Sequence, residues 1–339
     1  MDTYDKVNIK NKNVIKNSYV KLPLTIPPIK YLTRYYLDLA IAFNNENAKD
    51  WFCSSFMQMQ RFKKQNLWLV FWEKVPFVKT KKFSDIETQK QSPEIFLEKI
   101  LKYVCHGFYV TIELDWLYLR KEKSDEIFAH QIVIHGYDIN REIFFITGYF
   151  PPKAHQISFS ELSFSDFLTS FYRIKCSEIS VTKPKQCNKK FSMRLFKIGI
   201  KSYYNSKLSL LYMFAKKGSV TPFRDDFGIK SHRYIRDAIE NEKKQKGPPL
   251  STTRLKGMEE FMSAMVMRLE YIKEKNFLQD IDGVISTYKT VVKQYNLMIM
   301  LWLKYKATSE VKYLDQITEL SYKSDELEKE ALKELISKF

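Results

Sequence analysis

The chain has 339 residues, 45% hydrophobic and 15% aromatic, with only nine glycines; this is enough apolar material for two domains and excludes a globally disordered chain. A formal net charge of +17 is compatible with an acidic partner, but solvated faces of a Lys-rich chain are its commoner source. The lysines are scattered, with short clusters at Lys79, Lys81, Lys82 and at Lys243, Lys244, Lys246, so the long basic tract of a nucleic-acid arm is missing.

The first twenty residues are polar and rich in Lys and Asn, and they read as a flexible segment without a secretory apolar run. KLPLTIPPIK (21 to 30) holds three prolines, so helix begins only after it. The spacing predicts helices over 31 to 43 and 48 to 62, then a strand over 66 to 78 that ends near Pro76. In SPEIFLEKILKYVCHG (92 to 107), Ser92 fits an N-cap, Pro93 the first helical position and Gly107 the stop. FYVTIELDWLYL follows as a strand. IFAHQIVIHGYD and EIFFITGYF then form a hairpin, with Asp138 and Asn140 in the bend, and HQISFSEL adds a strand and a helix start.

Past CSEISVTKPKQCNKKF (176 to 191) the pattern becomes almost wholly helical, which places a boundary near 185. Met258, Met262, Met265 and Met267 mark a soft face whose commoner use is core packing. YNLMIMLWL (295 to 303) is far short of the roughly 20 residues that cross a bilayer, so it reads as a core helix. The last helix, SYKSDELEKEALKELISKF, reads as ordinary surface helix, with Glu326 and Glu330 on one face. The expected architecture is α+β: a flexible segment 1–20, a domain 21–185 with N-terminal helices and an antiparallel sheet, and a helical bundle 186–339.

The hairpin holds the residues that a family resemblance singles out. His130 followed by QIVIHGYD and then an aromatic strand, with ELDWLYL before it (Asp115 and Tyr118), resembles the N-terminal domain of the butirosin biosynthesis protein H family. The order of the flanking elements, including FGIKSHRYIRDAIE (227 to 240), follows the same likeness. The resemblance implies a papain-like fold related to bacteriocin-processing cysteine peptidases, acyl transfer from a carrier protein to an amine in natural-product biosynthesis, and His130 as the general base. An acidic acyl or peptidyl carrier protein would also suit the positive charge.

The nucleophile departs from that pattern. In papain-like folds a Cys opens the first long helix, where the dipole favours the thiolate; the corresponding PPIKYLTRYYLDLAIAF has none, and Thr33 is the nearest hydroxyl. Cys53 is the substitute, three residues after the capping candidate Asp50, although free Cys is often simply core. Cys105 lies at the wrong end of its helix, where His106 suits a capping role. The orienting acid expected near Thr147-Gly148 is missing too, and Asp115 is the replacement if the pairing register lets it reach His130. His130 and His135 are an odd number of residues apart and so face opposite sides of a regular strand.

No phosphate-loop, dinucleotide or H-E-x-x-H motif occurs, and the histidines and the four cysteines (53, 105, 176 and 187) show no metal-ligand spacing, so no cofactor or metal is expected. The lack of a disulfide pattern suits a reducing, cytoplasmic setting. A second reading, from a different class, is a papain-like scaffold that has lost its chemistry and serves binding or assembly.

Overall fold

The computed structural model describes residues 17–31, 36–55, 58–62, 66–70, 75–83, 91–122, 126–149, 157–174, 179–207, 226–246 and 250–339. Thr33 and Cys176 lie outside the described residues. The chain divides into two compact units: residues 1–26, 37–45 and 75–187 form the first, and 27–36, 46–74 and 188–339 the second.

The first unit is built on a seven-stranded antiparallel sheet. Its strands are β1 (Tyr19–Lys21), β4 (Val78–Phe83), β5 (Tyr109–Asp115), β6 (Ala129–Asp138), β7 (Ile143–Tyr149), β8 (Ile157–Ser163) and β9 (Ile179–Pro184). They run in the order β4-β9-β5-β6-β7-β8, with β1 added alongside the far end of β6. One face is covered by α3 (Pro93–Cys105) and α5 (Phe164–Arg173), which bury Phe96, Leu97, Phe167 and Phe171 against Val110, Ile112, Ile132 and Ile134. The stack of Phe96 on Phe171, at 4.4 Å between ring centroids, joins the two helices.

Local signals account for these elements. Ser92 accepts from the Ile95 N–H, Pro93 opens α3, and Gly107 ends it at φ +78°, a conformation that costs glycine nothing. Ser163 caps α5 by accepting from the Asp166 N–H. In the bend of the hairpin, Asp138 accepts from the N–H groups of Asn140 and Arg141, the Asx-turn bonding that starts tight turns.

The second unit contains α2 (Ala48–Ser55), a three-stranded sheet of β2 (Gln58–Phe62), β3 (Asn66–Val70) and β10 (Asp226–Phe227), α6 (Met193–Tyr204), a 3₁₀ turn (Gly228–His232), α7 (Arg233–Lys243), α8 (Thr252–Glu274), α9 (Asp282–Thr308) and α10 (Lys312–Ser337). Met258, Met262 and Met265 are fully buried in α8, the core use of that face. No helix among the described residues is long and apolar enough to cross a membrane.

Three local expectations change. The helix expected over 48 to 62 ends at Ser55, and 58–62 becomes a strand because its backbone pairs with β3 and with β10, far away in sequence. The strand expected through Leu119 stops at Asp115, whose side chain accepts from the Leu117 N–H and caps a single helical turn, α4 (Trp116–Leu119). A single division near 185 is expected from the sequence, whereas the second unit, besides 188–339, takes in 27–36 and 46–74. Glu260 of α8 accepts from the backbone N–H groups of Lys30 and Tyr31, both at 2.8 Å, a long-range tie that no local periodicity announces.

Candidate functional site

His130 sits near the start of β6, directly opposite Leu114 of β5, and therefore on the face that carries the helices. The ring is half-buried in an aromatic corner, 5.4 Å from Trp116 and 6.3 Å from the exposed Phe128, and its Nδ1 lies 3.1 Å from the Gln131 carbonyl. A carbonyl only accepts, so Nδ1 is the donor in this contact.

Asp115 pairs with Ala129 in the ladder, one residue out of step with His130. Its carboxylate is fully buried and already committed: Oδ2 accepts from Arg173 Nε at 2.6 Å, and Oδ1 accepts from the N–H of Leu117 at 3.1 Å and of Phe128 at 3.4 Å. Ser170 Oγ adds a bond to the Asp115 carbonyl at 3.1 Å. These bonds pin α4 and α5 to the strand end. Its structural duties account for this acid without an orienting role.

Cys53 belongs to the other unit, on α2, within a run in which Trp51, Phe52, Ser54 and Ser55 are also buried. The thiol is 0% exposed, and burial pushes it up to about 12; the positive charges of Arg268 and Lys49 offset this only in part. The dipole argument for this cysteine is therefore outweighed by desolvation, and the sulfur is a core atom rather than a poised nucleophile. Asp50 does not cap α2 toward Cys53. It accepts from the Phe191 N–H at 3.2 Å and from the Tyr271 hydroxyl.

No family model matches the chain, and no curated protein matches it.

A second feature of the sheet unit lies between α3 and β9. Lys99, Lys102, Tyr103, His106, Phe108 and Lys183 line a basin of about 410 Å³. Lys183 Nζ stands 5.0 Å over the Phe108 ring, and Phe108 meets Tyr103 edge-on at 5.9 Å, so the floor is aromatic and the rim cationic. On the neighbouring edge strand, Lys79 stands directly opposite Lys183. His106 Nδ1 lies 2.7 Å from the Lys102 carbonyl, the helix-end role expected for it. Lys102 is paired along its own helix with Glu98 at 3.0 Å, which leaves Lys183, set over the Phe108 ring, as the cation that β9 adds to the rim. Lys99 and Lys102 are neighbours on one face of α3, and only the fold of β9 beside that helix brings the sequence-distant Lys183 to them.

In the helical unit the most chemically suggestive cluster is sealed. His232, 1% exposed, presents Nδ1 to Asp325 at 3.1 Å and Glu328 at 3.3 Å, and Nε2 to the Tyr203 hydroxyl at 2.7 Å. Tyr203 and Tyr288 donate to Glu328 Oε1 at 3.0 and 3.3 Å, and Arg236 bridges Asp325 and Ser321 at 2.7 and 3.0 Å. With the Tyr203 hydroxyl donating to Glu328, the ring nitrogen facing Tyr203 is suited to donate to that hydroxyl in turn. The pKa of His232 is raised above its ordinary value by Glu328 and Asp325 against the cost of burial.

The final helix is correspondingly not an ordinary surface helix. Ser321, Ser324, Asp325 and Glu328 are all buried on one side of α10. Their three- and four-residue spacing was a readable sign of a polar inner face, but the partner His232 was not readable from it. Among the described residues, no group of three or more His, Cys, Asp or Glu side chains could hold a metal ion.

Proposed function

We propose that the chain is a binding or assembly protein of a natural-product pathway, built on a papain-like scaffold, that takes an acidic carrier protein on the basin between α3 and β9. The single observation that carries the non-catalytic half is the Cys53 thiol, enclosed at 0% exposure and pushed up to about 12 by burial. A thiol pushed that high stays protonated at neutral pH, and its burial keeps substrate from reaching it. The committed carboxylate of Asp115 supports the same reading, since the base candidate His130 then lacks both of its proposed companions.

The basin supports the partner class. Lysines line the rim of an aromatic floor, with Lys102 shared with Glu98 and Lys183 standing over Phe108, and a basic rim of this kind steers an anionic surface. The test is to mix the full chain with thioester-loaded acidic carrier proteins and follow both binding and intact mass. The expected result is a complex that weakens with added salt and with the double charge reversal Lys99→Glu, Lys183→Glu, with no acyl group on the chain. An acyl adduct that disappears in Cys53→Ser or His130→Ala would restore acyl transfer in place of this reading. A chain that forms no salt-sensitive complex would end the carrier proposal.

A further inference from the structure

The HGYD segment that distinguishes the hairpin is used on the sheet face away from α3 and α5. Ile134 and Tyr137 both point into the core, and the ladder with β7 slips between Ile134 and Gly136. A bulge therefore puts two successive residues, His135 and Gly136, on the outer face. Gly136 has no side chain for a steric reason: a Cβ there would come 2.4 Å from the Val20 carbonyl oxygen and 2.8 Å from Phe145 Cδ2. Its absence lets β1 and the Phe145 ring close over the bulge, and Lys21, Gly136, Phe145 and Glu161 stand in one cross-strand row.

Beside that row is a hollow of about 190 Å³ lined by Lys21, His135, Phe145, Phe159, Ser160 and Glu161. His135 is 2% exposed; its Nδ1 donates to the Leu22 carbonyl at 3.2 Å, and its buried Nε2 has no hydrogen-bond partner. Burial lowers the pKa of this ring, so at neutral pH Nε2 presents a lone pair. Phe159, 49% exposed, meets His135 edge-on at 5.6 Å, and Lys21 Nζ stands 4.8 Å above the Phe145 ring. The Glu161 carboxylate is already neutralised by two bonds from Arg141, at 3.1 and 2.5 Å. The charge left to be satisfied is the Lys21 ammonium.

A fitting ligand must donate a proton to Nε2, bring a negative charge to Lys21 and lay an apolar body on Phe145 and Phe159. The hollow is smaller than the roughly 300–1,000 Å³ of drug-sized sites, so the three features must sit on one small ring. We propose that this hollow binds a small aromatic acid carrying a ring hydroxyl or amino group, of the hydroxybenzoate or aminobenzoate class. The carboxylate pairs with Lys21, the ring packs on the two phenylalanines, and the ring O–H or N–H donates to Nε2.

The experiment titrates the full chain with 4-hydroxybenzoate, observed by calorimetry and by the ring resonances of ¹³C-labelled histidine. Saturable binding that shifts the His135 signals is expected, with benzoate (no donor) and phenol (no carboxylate) each weaker by about tenfold, the scale of one charge-assisted bond. Lys21→Gln and Phe159→Ala change exposed side chains, so the fold survives, and each should weaken binding by a similar factor. No saturation, or binding indifferent to both variants, overturns the proposal. Lys99→Glu, Lys183→Glu should leave this binding unchanged, so its failure and that of the carrier reading are distinguishable.

Discussion

The sheet unit buries His135 to 2% exposure and the helical unit buries His232 to 1%, yet the two rings are pushed in opposite directions. Around His135 the groups are carbonyls of Leu22 and Ile146 and the Lys21 ammonium, so desolvation dominates and the neutral ring is favoured. Around His232, which is enclosed more fully, stand Asp325 and Glu328, and their charges outweigh the desolvation. Similar exposure therefore goes with unequal chemistry. A neutral ring at the edge of a hollow keeps a lone pair for an outside donor, whereas a ring held between two carboxylates and a tyrosine has both nitrogens engaged and serves the fold.

The most severe way to break the contrast is Glu328→Ala. It strips an acceptor from Tyr203 and Tyr288 and leaves the His232 ring with one carboxylate that Arg236 already shares. Removing one partner of a buried charge network costs about 3–5 kcal/mol, expected here as loss of stability of the helical unit in urea at pH 7. A loss under about 1 kcal/mol would mean that water enters the site and that the network is not sealed. In the sheet unit the corresponding change is Gly136→Ala, where the obstacle is the Val20 backbone and cannot swing aside. Overpacking of this kind costs about 1–3 kcal/mol and should displace β1 from the bulge. Gly283→Ala, whose Cβ would meet only Glu334 side-chain oxygens at 3.6 Å, is the control expected to be neutral or mildly stabilising.

How much of this was legible depends on how local each cause is. The α3 helix was readable to its ends because Ser92, Pro93 and Gly107 act within a few residues of themselves. The strand 58–62 was not, because its partners include Asp226 and Phe227, and before they pair its residues fit a helical continuation of α2 equally well. His130 was correctly placed on a strand, but whether Asp115 could serve it depended on a register and on Arg173, both set by tertiary packing. The Cys53 reading rested on a helix dipole visible in sequence, and what outweighs that dipole is burial, which is not. The bulge at His135 lay hidden for the same reason: only the common inward orientation of Ile134 and Tyr137 reveals that two residues share the outer face.

The smallest expected effect is also the one that most directly sharpens the contrast: the pH dependence of the two histidines should have opposite signs. For His232 the folded pKa is raised above the ordinary 6.5, so its contribution to stability is complete below that value and is lost as pH rises through the folded pKa. Glu328, raised by burial, acts in the same direction from 4.5 upward, while Asp325, held below 3.8 by bonds to His232 and Arg236, matters only in more acidic solution. For His135 the folded pKa is lowered, so the unfolded chain binds more protons below 6.5, and stability is lost as pH falls from there through the folded value. Histidine ring resonances assigned through His135→Gln and His232→Gln should then show one ring still protonated above pH 6.5 and the other still neutral below it. Two rings titrating together near 6.5 would mean that both are solvated, and neither the sealed network nor the unpaired Nε2 would then survive.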